Sequence, residues 1–350
     1  MKKLYNTVDK RVLKEIVQHS SASRTTVSFY KYHPIANPQF FRDFLFLQWE
    51  TLGVLGRTYI AAEGINAQIS VPTERFEDFK ENLFNIDFLN GIRLNTAVQD
   101  DSKSFYKLII KLRGKIVADG IDDLEFNPSN TGVHLSAQDF NELTAKPDTI
   151  LIDMRNHYES EVGHFKNAIL PDADTFREEI AMVEQMLEGK EEKNIVMYCT
   201  GGIRCEKASA YLKHKGFPNV HQLEGGIIKY ARDVNAAGLE NRFLGVNFVF
   251  DERLAERISE DVIAQCHQCG NPFDHHTNCA NLACHILFIQ CPSCKEQMLS
   301  CCSDTCKEMV QLPEEQQKEL RKGKLPGRNI FKKGRGEHLT FKTNRIKGEE

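Results

Sequence analysis

Cys199-Thr-Gly-Gly-Ile-Arg-Cys205 is the stretch of this 350-residue chain best suited to covalent chemistry. The apolar run before it, residues 195–198, reads as a short buried strand, and residues 206–214 after it have helical spacing and good helix formers. Cys199 therefore sits where a strand turns into a helix through Thr200, Gly201, Gly202 and Ile203. Glycines let the backbone curl so that successive N–H groups point inward at an anion. The helix N-terminus adds positive potential. Both effects stabilise a thiolate, so the Cys199 pKa is expected to fall and its nucleophilicity at neutral pH to rise. Arg204 can offer charge-assisted hydrogen bonds to an oxyanion or a sulfur anion. Without Gly201, Gly202 and Arg204 around it, the same cysteine would read as an inert core residue. Cys205 reads either as a core-facing helix residue or as a thiol that resolves an oxidised Cys199.

A second chemical signal lies downstream, in Cys266-x2-Cys269, Cys279-x4-Cys284, Cys291-x2-Cys294 and Cys301-Cys302-x3-Cys306. Two Cys-x2-Cys knuckles and further pairs within about forty residues fit structural tetrahedral zinc sites. Cys266, Cys269, Cys279, Cys284, Cys291, Cys294, Cys302 and Cys306 suffice for two four-ligand sites, and the spacing leaves their pairing open. The polar chain between Gln265 and Cys306 has little to bury, so bound metal could supply its folding free energy. Redox-active dithiols, thiols packed in a small core and an iron–sulfur cluster use the same ligand type.

These groups must be positioned by two or three domains, given the length. A hydrophobic content of 41% and a charged content of 27% fit a soluble globular protein. The net charge of −4 gives no overall attraction to nucleic acid, so any basic surface has to be local. No apolar run approaches membrane-spanning length. The N-terminus has no apolar stretch after its lysines, so no export signal is expected. Eleven cysteines without one argue for thiols and metal ligands in a reducing compartment, the cytoplasm.

Taken in order, residues 1–24 form an extension with a short helix over 10–17. Residues 25–116 form a first domain: strand 25–32, amphipathic helix 38–49, strands 54–61 and 66–71 around a turn at 62–65, helix 73–83 capped by Thr73, and strand 107–113. That βαββαβ order is the ferredoxin-like split pattern. Phe29, Tyr30, Lys31, Tyr32 and His33 could form an aromatic-basic surface that stacks bases, or alternate simply between core and solvent. The turn at 63–67 reads as a hairpin or as a contribution to the active site. Residues 117–131 are acidic and turn-rich, an interdomain linker.

Residues 132–240 alternate strands and helices as a doubly wound parallel sheet does, beginning with helix 135–143 capped by Ser136 and buried strand 150–153. Asp153 and Arg155 stand at that strand's carboxyl end, where open α/β sheets hold ligands. They read as an ion pair that fixes the loop or as catalytic groups. His164 reads as a hydrogen-bonding loop residue or a proton carrier. Residues 241–310 form a small cysteine-rich segment expected to bind metal, entered through a strand at 247–251 and a helical turn at 253–258. Residues 311–350 gather positive charge, including Lys322, Lys324, Arg328, Lys332, Lys333 and Arg335, among scattered Gly and Pro. This flexible basic arm suits a phosphate backbone, or is a solvated tail.

The Cys-x4-Arg loop is tighter than the Cys-x5-Arg cradle of cysteine phosphatases and resembles the rhodanese superfamily, whose cysteine carries a persulfide. Three further segments resemble that superfamily: residues 149–155, a strand ending in Asp-x-Arg; residues 158–168, with Glu-x4-His spacing closing on Gly163-His164; and Leu223-Glu-Gly-Gly226. Phe165, Asn167 and Tyr230 depart from its usual residues. The first domain resembles an acylphosphatase-like domain. The whole combination resembles the bacterial tRNA uridine hydroxylase family, most strongly from Thr25 to Cys306. That resemblance implies oxygen-dependent hydroxylation of the wobble uridine to 5-hydroxyuridine, with molecular oxygen as co-substrate. It also implies Cys199 as the essential cysteine, the anticodon region of tRNA as partner, and the tRNA backbone as the tail's target. The chain carries no flavin or nicotinamide motif and no obvious two-histidine-one-carboxylate set. Cys199 could add to C6 of a flipped base or carry a persulfide or sulfenate. The alternative function is a rhodanese-type sulfurtransferase; a zinc-containing RNA-binding adaptor is a third. The oligomeric state is not set by the sequence.

Overall fold

The computed structural model describes Leu4 and residues 8–123, 125–322, 333–336 and 338–339. In chain order its first elements are α1 (Lys10–His19), β1 (Arg24–Tyr32), α2 (Pro38–Thr51), β2 (Leu55–Ala61), β3 (Gly64–Pro72), α3 (Phe76–Phe84), β4 (Asn95–Thr96) and β5 (Leu108–Leu112). The middle of the chain forms β6 (Val133–Leu135), α4 (Ala137–Thr144), β7 (Thr149–Asp153), α5 (His157–Ser160), β8 (Gly163–Phe165), α6 (Phe176–Met186), β9 (Asn194–Tyr198), α7 (Ile203–His214), β10 (Val220–Leu223) and α8 (Gly226–Ala237). The rest comprises β11 (Phe243–Phe248), β12 (Ala255–Arg257), β13 (His276–Asn278), β14 (Leu287–Ile289), α9 (Pro292–Gln297), α10 (Asp304–Gln311) and α11 (Glu314–Arg321). The described residues fall into two compact units. The first takes Met1–Thr149, Glu191–Glu240 and Phe250–Arg253; the second takes Ile150–Lys190, Asn241–Val249 and Leu254–Glu350.

In the first unit a five-stranded sheet has the order β4-β1-β3-β2-β5. β3 is antiparallel to both β1 and β2, as the βαβ crossover through α2 requires. Its buried face packs on α2 and α3 around Trp49, whose ring meets Phe29 at 6.3 Å and Phe79 at 5.8 Å. The ferredoxin-like fold is as expected, but one strand is not. The segment expected to end the βαββαβ repeat is β5, an added edge strand parallel to β2. The place beside β1 belongs to β4, which is two residues long. So short a strand carries no alternation signal. Thr73 does not cap α3: a 3₁₀ turn, Thr73–Arg75, precedes that helix, and the Thr73 hydroxyl pairs with Ser23 at 3.0 Å.

The same unit contains a parallel ladder in which β10 lies between β6 and β9. Ser136 caps α4, accepting from the Asp139 N–H. Phe140 packs edge-on against Tyr198 and Tyr230, and the Tyr230 hydroxyl donates to Asn141 Oδ1 at 2.9 Å. That hydrogen bond gives the buried phenol the partner it needs.

In the second unit β11 is antiparallel to both β8 and β12, and β13 and β14 form a hairpin. The expected helical turn at 253–258 is instead strand β12, and the strand expected at 247–251 begins earlier, as β11. Pairing with β11 overrides the helical propensity of Leu-Ala-Glu-Arg. No helix among the described residues is long and apolar enough to cross a membrane.

Candidate active site

Cys199 follows the last residue of β9 and is 1% exposed. Gly202 adopts φ 102°, a left-handed conformation that glycine takes without steric cost, and it aims its N–H at the Cys199 sulfur at 3.1 Å. The N–H groups of Arg204 and Cys205, at the start of α7, also donate to that sulfur, as does the Cys205 thiol. Burial alone would push the Cys199 thiol up. The Cys205 thiol, the Arg204 guanidinium and the two N–H groups outweigh it and hold the pKa at about 6. Burial, followed by donation to Cys199, pushes Cys205 well above its ordinary value, so it keeps its proton. The loop is closed from the other side by the Glu224-Gly-Gly turn. The Ile227 and Ile228 N–H groups donate to the carbonyls of Cys199 and Thr200 at 3.0 and 3.2 Å. A Cβ on Gly226 would meet those two carbonyl oxygens at 2.5 and 2.6 Å.

The first domain supplies a wall. Tyr30 donates to Glu206 Oε1 at 2.9 Å, Tyr32 to the Ile203 carbonyl at 3.4 Å and Asn95 to the Gly201 carbonyl at 3.4 Å. A Cβ on Gly202 would lie 2.7 Å from the Tyr30 hydroxyl, so the loop's second glycine is required by packing as well as by φ. Glu206 also accepts from His134 at 3.0 Å. Burial would raise its pKa, but the His134, Gln222 and Tyr30 hydrogen bonds hold it below the usual carboxylate range. Next on α7, Lys207 is buried between Glu63 at 2.7 Å and Asp119 at 2.9 Å, beneath the Tyr32 ring. Beside this wall an open cleft of about 460 Å³ is lined by Tyr30, Lys31, Phe88, Arg93, Asn95 and Glu206, among others.

The aromatic-basic set at the end of β1 is thus divided. Phe29 is core, Tyr30 and Tyr32 grip the Cys199 loop, and Lys31 and His33 are exposed. Sequence reasoning missed Asn95, Asp119, His134, Glu206 and Lys207. Glu206 and Lys207 directly follow the motif, but Tyr30, His134 and Glu63, which they meet, lie 72 to 176 positions away, so no local spacing announces them.

In the second unit Arg155 grips Asp153 with two hydrogen bonds, at 2.8 and 2.6 Å, and donates to the Gly163 carbonyl at 2.6 Å. Both side chains are wholly buried. His164 Nδ1 lies 2.9 Å from the Ser160 carbonyl. The pair ties the end of β7 to the start of β8.

That unit also gathers eight cysteines into two sets, Cys266, Cys269, Cys291 and Cys294, and Cys279, Cys284, Cys302 and Cys306. Within each set all four sulfurs lie within 4.8 Å of one another. Contacts of 3.7, 3.6 and 3.8 Å join Cys269 to Cys291, Cys284 to Cys302 and Cys302 to Cys306. A tetrahedron with metal–sulfur bonds of about 2.3 Å has edges of roughly 3.8 Å, so each set fits one metal ion. Cys301 is buried but belongs to neither set. Of the basic tail, Lys322 is exposed at the end of α11. Lys333 lies over the Tyr158 ring and donates to its hydroxyl, and Arg335 pairs with Asp172. Lys324, Arg328 and Lys332 lie outside the described residues.

Comparison with known proteins places three family models along the chain. They are the UPF0176 acylphosphatase-like domain over residues 24–116, the rhodanese-like domain over 136–233 and the rhodanase C-terminal segment over 244–307. A tRNA uridine(34) hydroxylase from Photorhabdus laumondii subsp. laumondii is 56% identical over 333 residues, covering 95% of each chain. One from Pectobacterium atrosepticum is 56% identical over 334 residues, covering 95% of this chain and 94% of its own. Among solved structures, a rhodanese-like domain protein from Staphylococcus aureus is 21% identical, covering 28% of this chain and 90% of that one with a TM-score of 0.24. On the identity and coverage of its relatives, the chain belongs to the tRNA uridine(34) hydroxylase family.

Proposed function

We infer that this protein hydroxylates uridine 34 of tRNA to 5-hydroxyuridine, with molecular oxygen as co-substrate and Cys199 as the reacting group. The observation that carries the role of Cys199 is its sulfur, buried yet held as an anion at neutral pH by four donors and Arg204. A uracil ring is attacked at C6 by a good nucleophile, and the electrons displaced by that attack let C5 take the terminal oxygen of a peroxide, whose O–O bond breaks with release of hydroxide; an external two-electron donor reduces molecular oxygen to that peroxide level. A thiolate at about pKa 6 is ionised at working pH without a separate base. Loss of the C5 proton and expulsion of Cys199 then restore the aromatic ring and free the thiolate. Cys205, which keeps its proton, stabilises the sulfur anion each time it re-forms. Because Cys199 is enclosed, the base has to leave its stack to reach it.

The two cysteine sets hold structural zinc in this reading. Four thiolates close the coordination shell and leave no open position for substrate. The basic stretch containing Lys322, Lys324, Arg328 and Lys332 contacts tRNA phosphates, while Lys333 and Arg335 anchor it to Tyr158 and Asp172. Thiols of this kind belong to a reducing compartment, the cytoplasm.

The test is nucleoside mass spectrometry on tRNA from cells lacking the protein, complemented with wild type or with Cys199→Ser. 5-Hydroxyuridine-derived nucleosides should return only with wild type. Their return with the variant would remove Cys199 from the reaction, and thiosulfate–cyanide turnover by the wild type would then favour sulfur transfer.

A further inference from the structure

We propose that the cleft beside the Cys199 loop is a subsite for the base of a nucleotide flanking uridine 34, which deepens the functional reading above and rests on it. Cys199 does not line this cleft, so the base it holds is not the one that reacts. Yet the cleft and the loop share residues. Tyr30 and Asn95 line the cleft and also touch the loop at Gly202 and Gly201, so a chain that seats one base here delivers its neighbour to the loop. The volume of about 460 Å³ is in the range of small-ligand sites, roughly 300–1,000 Å³.

The lining discriminates between the parts of a nucleotide. On one side stands the half-buried ring of Phe88, backed by His33 stacked on it at 4.5 Å and nearly parallel. That is an apolar wall for the face or edge of a base. The Glu206 carboxylate also lines the cleft and would repel a phosphate. A carboxylate has about four acceptor positions. Tyr30, His134 and Gln222 occupy three of those on Glu206, which leaves one for an N–H on a base edge. The positive charge is kept to the exposed residues: Lys31 has no side-chain partner among the described residues, and Arg93 leans on Glu224. Phosphates at the mouth and a base within match this distribution.

The experiment measures binding, not turnover. Full-length protein is titrated into a fluorescently labelled anticodon stem-loop RNA at one fixed salt concentration, since such affinities depend steeply on salt. Phe88→Ala should weaken binding roughly fivefold to a hundredfold, the range found on removing one base–aromatic contact. Lys31→Glu, on an exposed strand position, tests the site without touching the core and should also weaken binding. An RNA lacking the base on one side of uridine 34 should bind wild type more weakly by a similar factor, and should bind Phe88→Ala no more weakly than the intact RNA does. Wild type that binds the RNA tightly but ignores base removal on both sides, with both variants unaffected, overturns the subsite and leaves the hydroxylase reading standing. Failure of wild type to bind the RNA overturns both.

Discussion

Cys205→Ala isolates the one donor to the Cys199 sulfur that is a side chain of neutral charge. The backbone N–H groups of Gly202, Arg204 and Cys205 and the Arg204 guanidinium all survive the substitution. A hydrogen bond to a charged group contributes about 1.5–3 kcal/mol, and one pKa unit corresponds to about 1.4 kcal/mol. The Cys199 midpoint should therefore move from about 6 to between roughly 7 and 8. At pH 7 the ionised fraction falls from about nine-tenths to between about one-half and one-tenth, a two- to tenfold loss. The assay is the pH dependence of iodoacetamide labelling, read by mass spectrometry on the peptide that contains Cys199. Burial slows labelling by a factor common to all pH values, so the midpoint is the informative quantity. A variant whose midpoint stays near 6 would refute the assigned role of Cys205 and leave the anion to Arg204 and the backbone. The sign of the stability effect also follows. A folded thiol near 6 against an ordinary value of 9.0 stabilises the fold fully above that ordinary value, and the contribution is lost as pH falls through about 6.

Lys207→Met should destabilise the protein by about 3–5 kcal/mol in equilibrium denaturation, because Glu63 and buried Asp119 lose a cation that is itself only 3% exposed. A change below 1 kcal/mol would mean that Lys115, 2.6 Å from Asp119, suffices alone. Metal analysis of the purified protein should find two equivalents of zinc, and Cys279→Ser should lower this to one while Cys301→Ser leaves it at two. Equal losses in both variants would refute the assignment of ligands.

The Cys199 loop was legible because its parts are adjacent: a strand end, two glycines, an arginine and a helix start lie within seven residues, and local backbone geometry alone turns their N–H groups on the sulfur. The eight cysteines were legible as candidate ligands by type and spacing, but not as sets. Cys266 and Cys269 join Cys291 and Cys294, and the other set interleaves with them. The β13–β14 hairpin, which returns the chain on itself between the knuckles, makes that choice. The alternation along β1 separated Phe29 from Tyr30 and Tyr32, but only packing decided that Trp49 takes the first and the Cys199 loop the other two. β4 escaped notice because two residues have no period.

By itself, then, the sequence determined the chemistry available: a thiolate cradle and sulfurs enough for two metal-capable sets. These follow from residue type and from spacings of a few positions, over which the backbone has little freedom. Tertiary structure alone decided what surrounds the cradle. Tyr30, Asn95, His134 and Asp119 meet α7 and its preceding loop across at least 72 positions. Asp119 stands in a stretch that reads as linker, yet it is 2% exposed. No local pattern encodes such pairings. They are selected because a buried polar group must find a partner, and which partner is within reach depends on how the whole core packs.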